Sequence, residues 1–196
     1  MIKISPARVA AFEILSKIES ENSFSSILLP QYEEGLGERD RGLCHQITLG
    51  VLRRKLYLDK IIESLTKKDL SKFDPEVVSA LRIGIFQMLF LERIPAYSAI
   101  NDSVNLVYRA KKRSASGLVN AVLRRVSRGE IPEFNFENDF ERISFETSHP
   151  EWLIKKWSDQ FGSANAEAIA AANNVVSKPA FRLTQGFSLK PKEKRE

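Results

Sequence analysis

From residue 6 to residue 128 the apolar side chains return every three or four positions and never alternate convincingly, a spacing that packed helices bury and strands do not. The period is clearest at Val77, Val78, Leu81, Ile85, Met88 and Leu89, opened by Asp74-Pro75 and closed by Ile94-Pro95. Ser5-Pro6, a hydroxyl before a proline at the first helical position, starts an earlier helix that keeps Val9, Phe12, Ile14, Leu15 and Ile18 on one broad face. A shorter helix over Phe24–Tyr32 ends at the Gly35–Gly37 turn. Asp40 then caps a long helix through Leu43, Ile47 and Val51, which continues with a bend near Tyr57 to Ile61, Ile62 and Leu65. Two more follow, at 97–111 and 116–128. Residues 1–130 are therefore expected to be an all-α bundle.

The pattern changes at GEIPEFNFEN (129–138), where glycine and proline interrupt the period, and 131–138 is read as a linker. Residues 139–176 read as a helical extension: a short amphipathic piece at Phe140–Phe145, a helix started by His149-Pro150 and stopped by Gly162, and an alanine-rich helix leaving at Asn173-Asn174. PAFRLT (179–184) has the composition of a strand, so 177–196 is expected to be the truncated start of an α/β subdomain.

With 43% of 196 residues apolar, the chain has enough material for a real core, and disorder is a poor description of it. Its longest uncharged run, IGIFQMLFL, is far shorter than the roughly 20 residues needed to cross a bilayer, so no membrane partner is expected. One cysteine, Cys44, leaves no internal disulfide, which fits a reducing cytoplasm.

Charge is distributed unevenly. Residues 1–129 carry 21 Lys and Arg against 14 Asp and Glu, whereas 130–196 carry 9 against 11. Between residues 100 and 129 seven cations (Arg109, Lys111, Lys112, Arg113, Arg124, Arg125 and Arg128) face a single acid, Asp102. Such an excess suits a polyanion, because phosphate contacts dominate nucleic-acid affinity. The competing explanation is complementation of helix dipoles, which accounts for one cation at a helix end better than for three or four. Tyr97 and Tyr108 could stack on bases, although core packing is the reading preferred for both.

Self-sufficient chemistry is missing. Cys44 and His45 are adjacent and so point apart on a helix, leaving Cys44 as a core thiol. His149 caps or packs, and the two histidines and one cysteine have no metal-ligand spacing. Gly35-Leu36-Gly37 has Asp40 where a dinucleotide fingerprint needs its third glycine, so it is a turn. Asn120 is expected to be a buried amide tying two helices, and Gly50 and Gly84 to permit close helix crossings.

Four segments in this order, ERDRGLCHQITLGVLRRKLYLD, LRIGIFQMLFLERIPAYSAINDSVNLV, GLVNAVLRRVSR and SHPEWLIKKW, resemble the N-terminal half of the RsmB (Sun/Fmu) family of bacterial 16S ribosomal RNA cytosine-C5 methyltransferases. The resemblance covers roughly residues 5–184. It implies a NusB-like RNA-binding helical domain, 16S ribosomal RNA as partner, and a C-terminal methyltransferase domain that binds S-adenosylmethionine through a glycine-rich loop and works with two cysteines. Those features are absent from this sequence, so no cofactor and no catalytic residue is expected in the chain itself. Positions matching the family segments give Arg8, Arg39, Arg41, Arg53, Arg54, Lys111, Lys112, Arg113, Arg124 and Arg125 as candidate RNA contacts. Two other readings stay open. One is a stand-alone NusB-like antitermination factor acting with a ribosomal protein; the other is a helical protein-interaction module.

Overall fold

The computed structural model describes residues 4–176. They form ten α-helices: α1 (Pro6–Glu21), α2 (Ser25–Glu33), α3 (Glu38–Arg53), α4 (Lys55–Thr66), α5 (Pro75–Phe90), α6 (Ala96–Arg109), α7 (Ser116–Ser127), α8 (Asp139–Thr147), α9 (Glu151–Phe161) and α10 (Ser163–Asn173). No strand occurs among the described residues, in line with the all-α expectation, and no helix there is long and apolar enough to cross a membrane. The expected strand at 179–184 lies outside the described residues.

Helix α5 is the axis of the bundle. All eleven residues from Val77 to Gln87 are buried, the polar Ser79, Arg82 and Gln87 among them. It packs against α1, α3, α4, α6 and α7. Two crossings require glycine. A Cβ on Gly50 of α3 would fall on the Phe86 ring, and one on Gly84 would lie 2.7 Å from the Leu123 methyl groups of α7.

The long helix expected after Asp40 is two helices, broken at Arg54 (φ −107°, ψ 17°) rather than bent near Tyr57. The break is held from a distance. Tyr57, an orphan amide donor in the first turn of α4, gives its N–H to the Ser148 hydroxyl at 2.8 Å, and the Arg54 guanidinium donates to the Glu146 carbonyl at 2.9 Å. Periodicity within one segment carries no information about a partner 91 residues away. Asp40 is not the cap of α3. Gly37 occupies that position, and Asp40 sits in the first turn, where it accepts from the Ser5 hydroxyl at 3.5 Å. Ser5 accordingly makes no side-chain cap for α1. Asn120 is half-buried and accepts from Arg124 one turn along α7, so it does not tie two helices together.

Helices α8–α10 fold back on one another around Ile143, Ile154 and Ala170, with Phe140 and Trp157 beside them. The segment before α8 is packed: Ile131 and Phe134 lie against the principal core, and Phe134 and Phe136 both meet Phe145. Phe145 also packs on Tyr57 of α4, with ring centroids 4.8 Å apart.

Candidate nucleic-acid interface

The ten candidate cations meet different fates. Arg8 is the clear correction. It is 6% exposed, donates from Nε to Gln87 Oε1 at 2.6 Å and pairs with Asp102 at 3.2 Å, while Gln87 returns a hydrogen bond to the Ile83 carbonyl at 3.0 Å. This buried chain joins α1, α5 and α6. Desolvation lowers the Arg8 pKa and raises that of Asp102, with their mutual attraction opposing both shifts. Arg8 is therefore a structural tie, and Asp102, the lone acid of residues 100–129, is spent on it. A second buried tie, unread in the sequence, is Arg82, whose guanidinium meets Asp59 at 2.6 and 2.8 Å and Glu19 at 3.0 Å.

Six candidates keep their charge available. Arg39, Arg41, Lys111, Arg113 and Arg124 are exposed and Arg53 is half-buried, none with an ion-paired carboxylate among the described residues. Two more are engaged in exposed pairs: Lys112 with Asp74 at 3.0 Å, and Arg125 with Glu130 at 3.2 Å, the latter also donating to the Leu65 carbonyl. Exposed pairs of this kind are worth only about 0–1 kcal/mol, so an incoming phosphate can replace the carboxylate at little cost.

These cations do not form one tight cluster. Arg113 lies in the turn before α7 and Arg124 in the last turn of α7, and Arg39 and Arg53 stand at opposite ends of α3, about 21 Å apart. Tyr97 and Tyr108, expected in the core, are 77% and 40% exposed. They lie three turns apart on the solvent side of α6, and the Arg113 guanidinium stands 5.8 Å from the centre of the Tyr108 ring. An exposed tyrosine under an arginine is a surface on which a base can stack.

The structure does bring Arg53 and Arg54 together, on the wall of a groove of about 420 Å³ between α3 and the end of α5. Sequence reasoning missed the other parts of this groove: it singled out neither Gln46, Phe86 nor Phe90, and weighed His45 only as a partner for Cys44. The two reactive residue types are structural. Cys44 is fully buried, which pushes its thiol up to about 11. His149 Nδ1 lies 2.8 Å from the Thr147 carbonyl, and its ring packs on Trp157. Among the described residues no group of three or more His, Cys, Asp or Glu is placed to hold a metal ion.

An all-α bundle with a central apolar helix and cations at its helix ends defines a class, and comparison with known proteins names it. The chain belongs to the NusB family, whose model matches residues 5–128, the span of α1–α7. It is 33% identical over 187 residues to the probable ribosomal RNA small subunit methyltransferase B of Bacillus subtilis (strain 168), a match that covers 94% of this chain and 42% of that protein. The crystal structure of PH0851 superposes with a TM-score of 0.67 at 15% identity, covering 87% of this chain and 39% of that one. The antitermination factor NusB, in its crystal structure with NusE and double-stranded RNA, gives a TM-score of 0.59 at 21% identity, covering 64% of this chain and 96% of that one. The structural likenesses establish the fold. The chain spans about two fifths of the length of the methyltransferase relative.

Proposed function

We propose that this chain is the RNA-binding amino-terminal part of a bacterial 16S ribosomal RNA cytosine-C5 methyltransferase, presenting the rRNA to a catalytic domain that residues 4–176 do not include. One observation carries this reading. The similarity to the Bacillus methyltransferase extends over 187 residues, well past residue 128, where the NusB family match stops. The similarity thus takes in the residues of α8–α10, which favours this reading over a stand-alone antitermination factor.

In this reading Arg39, Arg41, Arg53, Lys111, Arg113 and Arg124 supply phosphate contacts, Lys112 and Arg125 exchange their carboxylates for phosphate, and Tyr108 beneath Arg113 takes a base. Contacts spread over the bundle suit folded RNA, whose backbone presents charge on several sides. Tethering such a module to a catalytic domain raises the local concentration of substrate and fixes its orientation. S-adenosylmethionine would belong to the other domain. The residues described here do not fit it, since Gly35-Leu36-Gly37 is a turn between α2 and α3, so no transfer step is assigned to this chain. A protein companion, as NusE is to NusB in the neighbouring structure, is a secondary expectation, and the setting would be the cytoplasm.

The test is binding of the chain to transcribed fragments of small-subunit rRNA across a salt series. Each phosphate contact adds about 0.7–0.9 to the slope of log affinity against log salt. Arg113→Glu and Arg124→Glu are each expected to weaken binding and flatten that slope. A salt-independent affinity, or one unmoved by the paired Arg113→Glu and Arg124→Glu changes, overturns the proposal.

A further inference from the structure

The groove between α3 and the end of α5 holds an unusual charge. Arg54 is half-buried, and its strong neighbours are the Glu146 carbonyl at 2.9 Å and the face of Phe90 at 5.1 Å; no carboxylate pairs with it among the described residues. Burial lowers its pKa, opposed by the Tyr57 phenol and helped slightly by the adjacent Arg53. A desolvated guanidinium normally has a counter-charge, because removing an ion from water is costly when nothing replaces the solvent. Here Arg53 stands beside it, His45 and Gln46 line the same wall, and none of the lining residues is Asp or Glu. The floor is Phe86 and Phe90, stacked with centroids 5.4 Å apart. Cations at one end, an aromatic surface below and amide and imidazole edges at the side are the parts that single-stranded nucleic-acid sites combine.

We propose that this groove is a subsite for one unpaired nucleotide of a bound RNA, its phosphate on Arg53 and Arg54, its base over the aromatic floor, and its edge facing His45 and Gln46. The inference rests on the RNA-binding reading and deepens it, assigning an unpaired nucleotide to a site distinct from the Tyr108–Arg113 surface. The volume of about 420 Å³ is enough for one nucleotide. Asn174 and Val176, just past α10, close the remaining side of the groove and add no acidic group.

The experiment uses the full chain with fluorescent single-stranded RNA pentamers and with a 16S-derived hairpin, read by anisotropy. Gln46→Glu places a carboxylate at an exposed position of the groove and leaves the core untouched, and Gln160→Glu on α9 makes the same change of net charge elsewhere. Gln46→Glu should weaken pentamer binding about fivefold and reduce its salt slope by about 0.7 for one lost phosphate contact, while Gln160→Glu leaves both unchanged. A pentamer carrying 4-thiouridine should crosslink to peptides of α3 or α5. Equal effects of the two variants, or crosslinks confined to the α6–α7 turn, overturn the subsite. If hairpin binding still falls with Arg113→Glu and Arg124→Glu, the RNA-binding reading survives that outcome. If the wild-type chain binds neither RNA, both proposals fail together.

Discussion

Helices α1–α7 and helices α8–α10 solve the same folding problem by different means. The first group gathers 28 buried apolar residues into one cluster around α5; the cluster of the second holds three, Ile143, Ile154 and Ala170, with Ala166 buried beside it. The smaller group makes up the difference with polar ties. Arg142 pairs with Asp139, Glu146 and Glu167, while the Asn174 amide donates to the carbonyls of Thr147 and Ala170. Three short helices with so little buried area do not stand alone. They lean on the bundle through Phe145, which meets Tyr57, Phe134 and Phe136. Buried area is the main support of one region, and a joint is that of the other. Both tryptophans, Trp152 and Trp157, lie in α9, so indole fluorescence reports the extension while far-ultraviolet circular dichroism reports mainly the bundle.

That arrangement makes the comparison breakable. Leu106→Ala, at a fully buried position of α6, should cost about 2–5 kcal/mol and lower the midpoints of both signals, because losing the bundle removes the platform for α8–α10. If indole fluorescence stays native while the dichroism melts, the extension stands alone and the comparison fails. Phe145→Ala is expected to cost about 2 kcal/mol, below the 3–5 typical of a fully buried ring, and to move the fluorescence midpoint well below the dichroism midpoint. Coincident transitions in that variant would place the joint elsewhere. Within the bundle, Gly50→Ala should destabilise by about 1–2 kcal/mol through its clash with Phe86, whereas Gly42→Ala, eight residues earlier on an open face of α3, should stabilise by about 0.5–1 kcal/mol. Urea unfolding of the two variants measures the opposite signs. The smallest effect is at low pH. Burial opposes ionisation of Glu19, but the Lys55 hydrogen bond and the charge of Arg82 outweigh it and hold the carboxyl below its ordinary value of 4.5. Its contribution is complete above that value and is lost as pH falls through the depressed one, so Glu19→Gln should flatten the acid limb of the stability curve.

The helices were largely readable because long amphipathic periods and Asp-Pro, Ser-Pro and His-Pro starts are local signals. The fate of Arg8 was partly readable too. It shares a helix face with Ala11, Phe12 and Leu15, and that spacing places it against the core. Family position and charge argued the other way, and the partners that settle it, Gln87 and Asp102, lie on two other helices. Tyr97 and Tyr108 failed in the opposite sense. Aromatic rings on an amphipathic helix read as core, and only the crossing of α6 with α5 and α7 determines which face is turned outward. The groove beside α3 was invisible for a related reason, since its floor and wall come from helices brought together by the Gly50 crossing.

The α3–α4 break has a mechanical consequence. Its geometry is pinned by a hydroxyl and a carbonyl at the far end of α8, which makes the corner at Arg54 a joint with an external latch. A load that drew α8 away would release the Tyr57 amide and the Arg54 guanidinium together. Asn174, just past α10, donates to the Thr147 carbonyl beside that latch, so the end of α10 and the corner at Arg54 share one support.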